Sequence, residues 1–351
     1  MDAIAVEGKI LQPVTSIHPR LLPVLLACAV AAVAGAQQEA LTQLQPGARV
    51  WLHAHNCYPE KGLWNDRIER ALRMDLPFIA IEQDLAWAVD PSGNGRSVVS
   101  HEPKPTGGEP TLEAHFFDRV RPIMERALAE NRRDRWPIMV LHLDFKTHEP
   151  AHHRAVWDLL GRHEAWLTTA ERAADPARVM PLVPGPLLVL TEAGPGQADA
   201  FHAQVPAGAK LRLFGTVPAT VPAGSTAEER AAAAIAATPE ELLPTGATNY
   251  QRWTNFPWMV VERGGQRQAG SWTADDERRL RAIVDRAHAL GLWVRFYTLN
   301  GHPPGQGLGW TESYNFGSLE AVLPRWKAAI AAGVDFVAVD QYEEFSRLLP
   351  R

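Results

Sequence analysis

Eight apolar runs of strand length recur between residues 50 and 340, and the stretches between them are amphipathic or loop-like. The runs are continuous rather than alternating, which is typical of strands buried on both faces of a parallel sheet. Eight such strands with intervening helices predict a single (β/α)8 barrel of the TIM type, an α/β fold, over residues 37–351. A doubly wound open sheet is the alternative. The runs are Val50–His53, Phe78–Asp84, Ile138–Asp144, Leu187–Thr191, Leu211–Phe214, Trp258–Val261, Trp293–Tyr297 and Asp335–Val339.

Amphipathic stretches between the runs predict helices. Among them are Asn65–Arg73, Phe116–Asn131, Ala274–Leu290 and Leu319–Ala332. Gly291 and Gly333 follow the last two stretches and are the expected C-terminal stops. Two segments break the rhythm. Pro91–Gly108 is a Gly- and Pro-rich excursion with a short strand at Val98–Ser100, and Val217–Asn249 is predicted to form a loop and a short helix over one rim.

The composition limits the classes of partner. Apolar residues make up 46% of the chain and charged residues 21%, so a large core can be buried and global disorder is excluded. The formal net charge of −5 provides no basic field for nucleic acid or anionic lipid. We therefore expect no nucleic-acid partner and at most transient contact with a membrane surface. A phosphate-bearing partner would need a local positive site, such as a bound cation.

The N-terminus has the order of features found in a secretory signal peptide. Arg20 precedes an apolar run, Leu21–Val33, and the small residues that follow it end at Ala36. This order predicts export, to the periplasm or the medium, after cleavage of residues 1–36. An uncleaved N-terminal anchor and a lipoprotein cleavage site at Cys28 are the alternatives. Cleavage would leave Cys57 as the one cysteine, so no intramolecular disulfide is predicted.

Carboxylates end two neighbouring strands of the predicted barrel, where the catalytic groups of such barrels lie. Glu82 and Asp84 end the second run, and residues two apart on a strand project to the same face. Asp144 ends the third run. Three carboxylates cannot share a small buried space as anions without a cation. Oxygen ligands suit a hard ion, so the sequence predicts one Mg²⁺ or Ca²⁺ held by these three residues.

Two histidines flank the predicted metal site. His55 follows the first run, and His101 follows the short strand of the excursion. With the cation they suffice for phosphodiester cleavage, because one imidazole removes a proton from the nucleophile and the other protonates the leaving alkoxide. Lys146 is predicted to pair with a metal-binding carboxylate or to contact phosphate. His53 and Asn56 are further candidates for contact with substrate or for support of the site.

Each of these signals also has a purely structural interpretation, since a strand-end histidine is often only hydrogen-bonded and Glu-x-Asp can end a solvated strand. The combination and its order along successive strands favour a site. Six other histidines fall on predicted helices or loops and are predicted to be solvated. Of these, His148 is near enough to the rim of the barrel that a role in the site stays open for it. The six are His115, His148, His152, His153, His163 and His288.

Three motifs resemble the phospholipase-C-like phosphodiesterase superfamily. They are Trp51-Leu52-His53-Ala54-His55-Asn56-Cys57-Tyr58-Pro59, Ile81-Glu82-Gln83-Asp84-Leu85 and Val99-Ser100-His101-Glu102, joined near the C-terminus by Phe296–Asn300 and Gly333–Asp340. The motif sequences are similar to those of glycerophosphodiester phosphodiesterases. They are closer to the altered-inheritance-of-mitochondria branch of the superfamily and only distantly similar to sphingomyelinase D. The resemblance implies a TIM-type barrel with His55 and His101 as the acid–base pair. It also implies Mg²⁺ or Ca²⁺ on Glu82, Asp84 and Asp144.

The motifs depart from the glycerophosphodiesterase pattern where that family reads its substrate. Asn56-Cys57 stands in place of Arg-Gly, and Asp144 stands where a glutamate is usual. The expected substrate is therefore broad: a small-molecule or lipid phosphodiester, such as a glycerophosphodiester or a lysophospholipid. Two alternatives stay open. One is an amidohydrolase-type zinc hydrolase that uses His53 and His55, with Asp340 as its acid, and the other is a non-catalytic exported barrel that binds a phospho-ligand.

Overall fold

A computed structural model describes the protein over residues 42–60, 62–133, 136–224, 226–262, 269–305 and 315–349. The predicted leader at residues 1–36, which includes Cys28, lies outside the described residues, and its cleavage stays a prediction. Across the described ranges, no helix is both long enough and apolar enough to span a membrane. Cys57 is buried and carries a free thiol.

Twelve strands occur in the described residues, and eight of them form a closed parallel barrel. They are β1 (Trp51–Ala54), β2 (Phe78–Val89), β3 (Gly95–Val99), β4 (Ile138–Phe145), β5 (Thr169–Glu171), β6 (Leu182–Val183), β7 (Leu187–Thr191), β8 (Lys210–Leu211), β9 (Phe214–Thr216), β10 (Gln251–Pro257), β11 (Trp293–Tyr297) and β12 (Phe336–Val339). Around the barrel the order is β1, β2, β4, β7, β9, β10, β11 and β12, and β1 pairs with both β2 and β12 to close it. The TIM-type prediction is confirmed, and the open-sheet alternative is wrong.

The other four strands lie outside the barrel wall. β3 runs antiparallel to the end of β2, so the excursion after the second barrel strand is a hairpin, as predicted. β5, β6 and β8 form a separate antiparallel sheet. The hairpin matters for the site because β3 leads the chain back towards the C-terminal ends of β2 and β4.

Helices cover the outside of the barrel between its strands. They are α1 (Arg67–Arg73), α2 (Asp118–Glu130), α3 (Pro150–Arg162), α4 (Ala227–Ala236), α5 (Pro239–Leu242), α6 (Ala274–Ala289), α7 (Leu319–Ala332) and α8 (Tyr342–Ser346). A wider helical turn, Glu113–Phe117, runs directly into α2. Thr273 caps the N-terminus of α6 through a capping box, and Gly333 ends α7 at a φ of 75°. The four helices predicted from amphipathic spacing are present.

The barrel interior changes character from one end to the other. Its N-terminal end is filled by apolar side chains, including Trp51, Trp293 and Phe336. At the next level up, the inward positions of the same strands hold His53 and Arg295. A second apolar cluster fills the layer between the barrel wall and the helices. The structure therefore supports a polar C-terminal mouth on a packed apolar base.

Two of the eight predicted strands are misplaced. The sixth was expected at Trp258–Val261, but the strand is β10, and Trp258–Val260 form one helical turn after it. β10 contains several polar residues, so a search for continuous apolar runs does not detect it. One of these residues, Asn255, points into the polar mouth towards Arg295. The fifth strand begins at Phe214, whereas Leu211 belongs to the small antiparallel sheet.

The prediction that six histidines are solvated is wrong for four of them. His115, His152, His153 and His163 are buried, because they occupy the inward faces of the segments that cover the barrel. His148 and His288 are partly buried. Helical periodicity places a residue on a face, and only the packing of that face against the barrel decides whether it meets water.

Candidate active site

Three carboxylates meet at the C-terminal mouth of the barrel. The parallel register of β2 and β4 sets Glu82 opposite His142 and Asp84 opposite Asp144. Strand alternation then directs all three carboxylates to the interior face, and each offers an oxygen within 4.8 Å of the others. The structure brings Glu82, Asp84 and Asp144 together as the strand-end rule predicts. Their role as metal ligands stays a prediction.

Glu82 is compensated by groups of the protein itself. Its Oε1 accepts from Nη2 of Arg295 at 2.9 Å, and its Oε2 accepts from the backbone N–H of Asn56 at 2.8 Å. Nε2 of His55 lies 3.7 Å from the same Oε2. Burial alone would raise the pKa of Glu82, but His55 and Arg295 hold it well below its usual range. Glu82 is therefore an anion whose charge is already balanced.

Asp84 and Asp144 form the opposite case. Nζ of Lys146 lies 2.9 Å from Asp84 and 2.7 Å from Asp144, so one ammonium serves two carboxylates. Burial, and after it the charge of Asp144, raises the pKa of Asp84 well above its usual value in spite of Lys146. Although burial opposes its charged form, the two carboxylates raise the pKa of Lys146. Two carboxyl groups thus share one cation, and Asp84 gives up its proton less readily than an ordinary aspartate.

His55 is held from behind by Asp340. Its backbone N–H donates to Val339 at 3.1 Å, which continues the pairing of β1 and β12 by one residue. Its Nδ1 lies 3.2 Å from Oδ1 of Asp340. The same Nδ1 lies 2.9 Å from Nδ2 of Asn56, and Nε2 lies on the side of Glu82. His55 is thus oriented with Nε2 towards the mouth.

Asp340 is itself fixed by two further donors. Nη1 of Arg67 donates to Oδ1 at 2.9 Å, and Nδ2 of Asn300 donates to Oδ2 at 2.7 Å. Burial opposes ionisation, but Arg67 and then His55 lower the pKa of Asp340 to about 2. The carboxylate is therefore ionised throughout the neutral range and holds the imidazole in one orientation.

Asn56 contributes through its backbone as well as its side chain. Its φ of 53° lies in the left-handed region, which turns its N–H towards Glu82. Its Nδ2 donates to Asp340 at 3.0 Å, and its Oδ1 accepts from Tyr58 at 2.9 Å. Asn56 therefore contacts both Glu82 and Asp340, which lies behind His55. Its role in supporting the site stays a prediction.

His101 returns to the mouth on the hairpin. β3 ends at Val99, and the N–H of Ser100 donates to the carbonyl of Asp84 at 2.9 Å. Burial and then Lys146 lower the pKa of His101, while Asp144 opposes the shift, so its ring lies within range of both charges. His55 and His101 thus come to the mouth on different segments, the loop after β1 and the end of the hairpin.

Two further histidines line the barrel interior, His142 beside Glu82 and His53 one level below it. Nδ1 of His142 is 3.4 Å from Glu82, and its Nε2 is 3.2 Å from Glu192. The ring of His53 packs 5.0 Å from that of His142, and within the described residues neither of its nitrogens has a hydrogen-bond partner. Burial and then Arg295 lower the pKa of His53 well below its usual value. His53 is a neutral residue one level below the mouth, behind the site.

Several residues of the site escaped the strand-end search. Arg295 lies inside the apolar run of β11. A single charged residue in such a run was the sequence feature that could have identified it as a site residue. Asp340 ends the Gly333–Asp340 motif, but the one role that the sequence suggests for it is the acid of a zinc site. Asn300 ends the Phe296–Asn300 motif and Glu192 directly follows a predicted strand, yet neither is among the predicted site residues. Arg67 lies outside these motifs.

The donor set at the mouth fits a hard divalent cation. Three carboxylates face two cations, Lys146 and Arg295, which leaves one net negative charge, and every converging ligand atom is an oxygen. In the described residues no other group of three His, Cys, Asp or Glu side chains converges in this way. The zinc alternative gains no support, because His55 turns Nδ1 to Asp340 and His53 lies below.

Comparison with known proteins yields fold-level likenesses. No family model matches the chain, and no curated protein matches its sequence. A glycerophosphodiester phosphodiesterase from Parabacteroides distasonis is similar in structure, with 13% identity, a TM-score of 0.44, and coverage of 85% of this chain and 96% of that one. An HPPK-DHPS triple mutant of Plasmodium falciparum has 9% identity and a TM-score of 0.38, with coverage of 87% of this chain and 47% of that one. Identities and TM-scores this low carry no information about the reaction or the substrate of this protein.

Proposed function

We propose that the protein is a phosphodiesterase that hydrolyses a small-molecule or lipid phosphodiester, such as a glycerophosphodiester or a lysophospholipid, with one Mg²⁺ or Ca²⁺. The observation that carries the proposal is the convergence of three carboxylates at the mouth, where Asp84 and Asp144 share the single ammonium of Lys146. Glu82, Asp84 and Asp144 would hold the ion. Export of the enzyme, through the leader at residues 1–36, belongs to the same proposal.

The charges at the mouth suit a phosphodiester. When ionised, the three carboxylates together with Lys146 and Arg295 carry one net negative charge, so a divalent ion would make this set of groups positive by one. A phosphodiester carries one negative charge at neutral pH, and the two would then cancel. When bound, the cation neutralises a non-bridging phosphoryl oxygen. Lys146 lies beside two ligand carboxylates, where it can orient them or reach the phosphate.

The two histidines divide the proton transfers. Nε2 of His55, the ring nitrogen turned towards the mouth, takes a proton from the attacking hydroxyl, which is either water or a neighbouring hydroxyl of the substrate. The new O–P bond forms as the bond to the leaving oxygen breaks. His101, from the hairpin side and in its imidazolium form, gives a proton to the leaving alkoxide and is left as the neutral imidazole. Asp340 keeps His55 in the tautomer that this step requires.

Hydrolysis assays with matched variants test the proposal. Wild type, His55→Ala and His101→Ala would be assayed on bis-p-nitrophenyl phosphate and a panel of lipid and glycerol phosphodiesters, with Mg²⁺ and Ca²⁺ titrated. We expect each variant to lose roughly 10²- to 10⁴-fold in kcat. His202→Ala is the control, because His202 is buried on another helical turn and bonds to Asn249.

Two outcomes would contradict the proposal. Equal rates in wild type and both histidine variants would remove the acid–base mechanism. Tightly held stoichiometric zinc, with no response to Mg²⁺ or Ca²⁺, would contradict the oxygen-ligand site and favour the zinc alternative.

A further inference from the structure

Gln83 is a buried polar side chain on the outer face of the barrel wall. It stands between Glu82 and Asp84, so strand alternation turns it away from the mouth. Ile81 and Leu85 share that outer face and belong to the apolar layer under the helices. Gln83 has no exposed surface. An amide buried in such a layer costs free energy unless each of its polar atoms is hydrogen-bonded.

The hydrogen bonds of Gln83 fix its orientation. Its Nε2 lies 2.5 Å from the carbonyl oxygen of Cys57 and 2.6 Å from that of Glu82. Carbonyl oxygens only accept, so the amide nitrogen must face them. Oε1 then faces Nδ1 of His115 at 2.5 Å, and this nitrogen must carry the proton. All three groups are satisfied in one arrangement of the amide and one tautomer of the ring.

His115 is a firm anchor for this chain of bonds. It lies in the turn Glu113–Phe117, whose residues Phe116 and Phe117 have no exposed surface. Its carbonyl accepts from Arg119, which also pairs with Glu69 of α1. Burial and then Arg119 lower the pKa of His115 to about 4, so the ring is neutral.

The chain of bonds ends at the loop that carries His55. β1 stops at Ala54, and Cys57 follows His55 and Asn56 in the loop beyond it. The loop bears the imidazole and also the N–H that binds Glu82. Gln83 therefore bonds to the loop while its two sequence neighbours are the carboxylates of β2. A change in this bond would alter the separation of His55 from Glu82 and Asp84.

We infer that Gln83 and His115 are positioning residues, which set the distance between the His55 loop and the carboxylates of β2 from outside the barrel. The inference rests on the proposed function and extends it to two residues that touch neither substrate nor metal. A residue of this kind alters the geometry of the site and leaves its charge unchanged, so its loss lowers kcat and metal affinity together.

Three variants of the full chain test the inference. His115→Phe keeps an aromatic ring but removes the donor to Gln83. His115→Asn retains a donor, because the amide nitrogen of asparagine occupies nearly the place of Nδ1. His202→Phe is the matched control: His202 is a buried histidine in a similar helical turn, Asp199–Ala203, and bonds to Asn249. For each, kcat and KM are measured with bis-p-nitrophenyl phosphate, Ca²⁺ and Mg²⁺ affinity by calorimetry, and Tm by thermal unfolding.

We expect His115→Phe to lose roughly 10- to 100-fold in kcat and in metal affinity, the usual effect of removing an outer support. His115→Asn should recover most of both quantities. The control should lower Tm by a similar amount with kcat and metal affinity unchanged. If His115→Phe cannot be obtained folded, Gln83→Met, which keeps the volume of the side chain and removes its hydrogen bonds, replaces it.

The inference is overturned if His115→Phe retains wild-type kcat and metal affinity while its Tm falls as in the control. A wild type that binds Ca²⁺ but hydrolyses no diester would remove the proposed function, and metal affinity alone would then decide the role of His115. A wild type that binds neither cation would overturn both.

Discussion

Glu82 and Asp84 lie two residues apart on one strand and are balanced in opposite ways. Glu82 bonds to Arg295 and to the N–H of Asn56, and the pKa of its carboxyl lies well below the usual range. Asp84 shares a single cation, Lys146, with Asp144, and its pKa lies well above the usual value. Both side chains are buried, so burial does not explain the difference.

The difference separates the part of the mouth where each anion has its own partner from the part where two carboxyl groups share one cation. On the β1, β11 and β12 side, every anion has its own cation or donor: Arg295 serves Glu82, and Arg67 serves Asp340. On the β2 and β4 side, two anions share one ammonium. A divalent ion would correct that deficit, which is why the cation requirement is expected to come from Asp84 and Asp144. The four predictions that follow test this division.

The largest effect is expected from Arg295→Met. It leaves Glu82 buried without its partner, and breaking a buried ion pair from one side costs about 3–5 kcal/mol. Urea unfolding of the metal-free protein measures the loss. The double variant Arg295→Met with Glu82→Gln should regain part of it, because no unpaired charge remains. A loss below about 1 kcal/mol would mean that Glu82 is not balanced by Arg295.

Asp84→Asn should remove the response to metal. At a metal concentration of 100 Kd, a bound ion stabilises the wild type by about 2.7 kcal/mol. The variant should show almost none of this rise in Tm, and its affinity should fall by more than the roughly 10- to 100-fold caused by loss of an outer support. Thermal unfolding with and without Ca²⁺ measures both. An undiminished response would place the ion elsewhere.

The ionised state of Asp340 should appear in the pH dependence of stability. Its pKa in the folded protein, about 2, lies below the ordinary 3.8, so it stabilises the fold fully above about pH 4 and loses that contribution as the pH falls through about 2. The contribution is on the order of 2 kcal/mol. Urea unfolding at pH 5 and pH 2.5 should therefore show a gap between wild type and Asp340→Asn that narrows at the lower pH. A constant gap would contradict the Arg67 pairing.

The smallest effect, and one of unusual sign, is expected at Asp144. In the metal-free protein, Asp144→Asn removes a repulsion from Asp84 and should leave the free energy of unfolding unchanged or raise it by less than about 1 kcal/mol, since Asp144 is partly exposed. Lys146→Met should lower it instead. Unfolding curves in a chelator compare the two. A destabilising Asp144→Asn would show that this side is already balanced.

The parts of the site that the sequence predicts are those that depend on local pattern. The inward direction of Glu82, Asp84 and Asp144 follows from strand alternation, and their level in the barrel follows from the ends of the apolar runs. The same reasoning failed for β10, because its polar residues interrupt the apolar profile. It also failed for His115 and His152, since a helical pattern does not say what the helix packs against.

Local sequence pattern is enough to predict the barrel and the three carboxylates at its mouth. Which charge balances which depends on contacts between parts of the chain that are far apart in sequence. Arg295 is 213 residues from Glu82, and Asp340 is 285 residues from His55. Those pairings exist because β12 closes on β1 and places β11 across from β2. Glu82 and Asp84 look equivalent in the motif. In the closed barrel, the charge of Glu82 is balanced by partners of its own, whereas Asp84 shares one ammonium with Asp144.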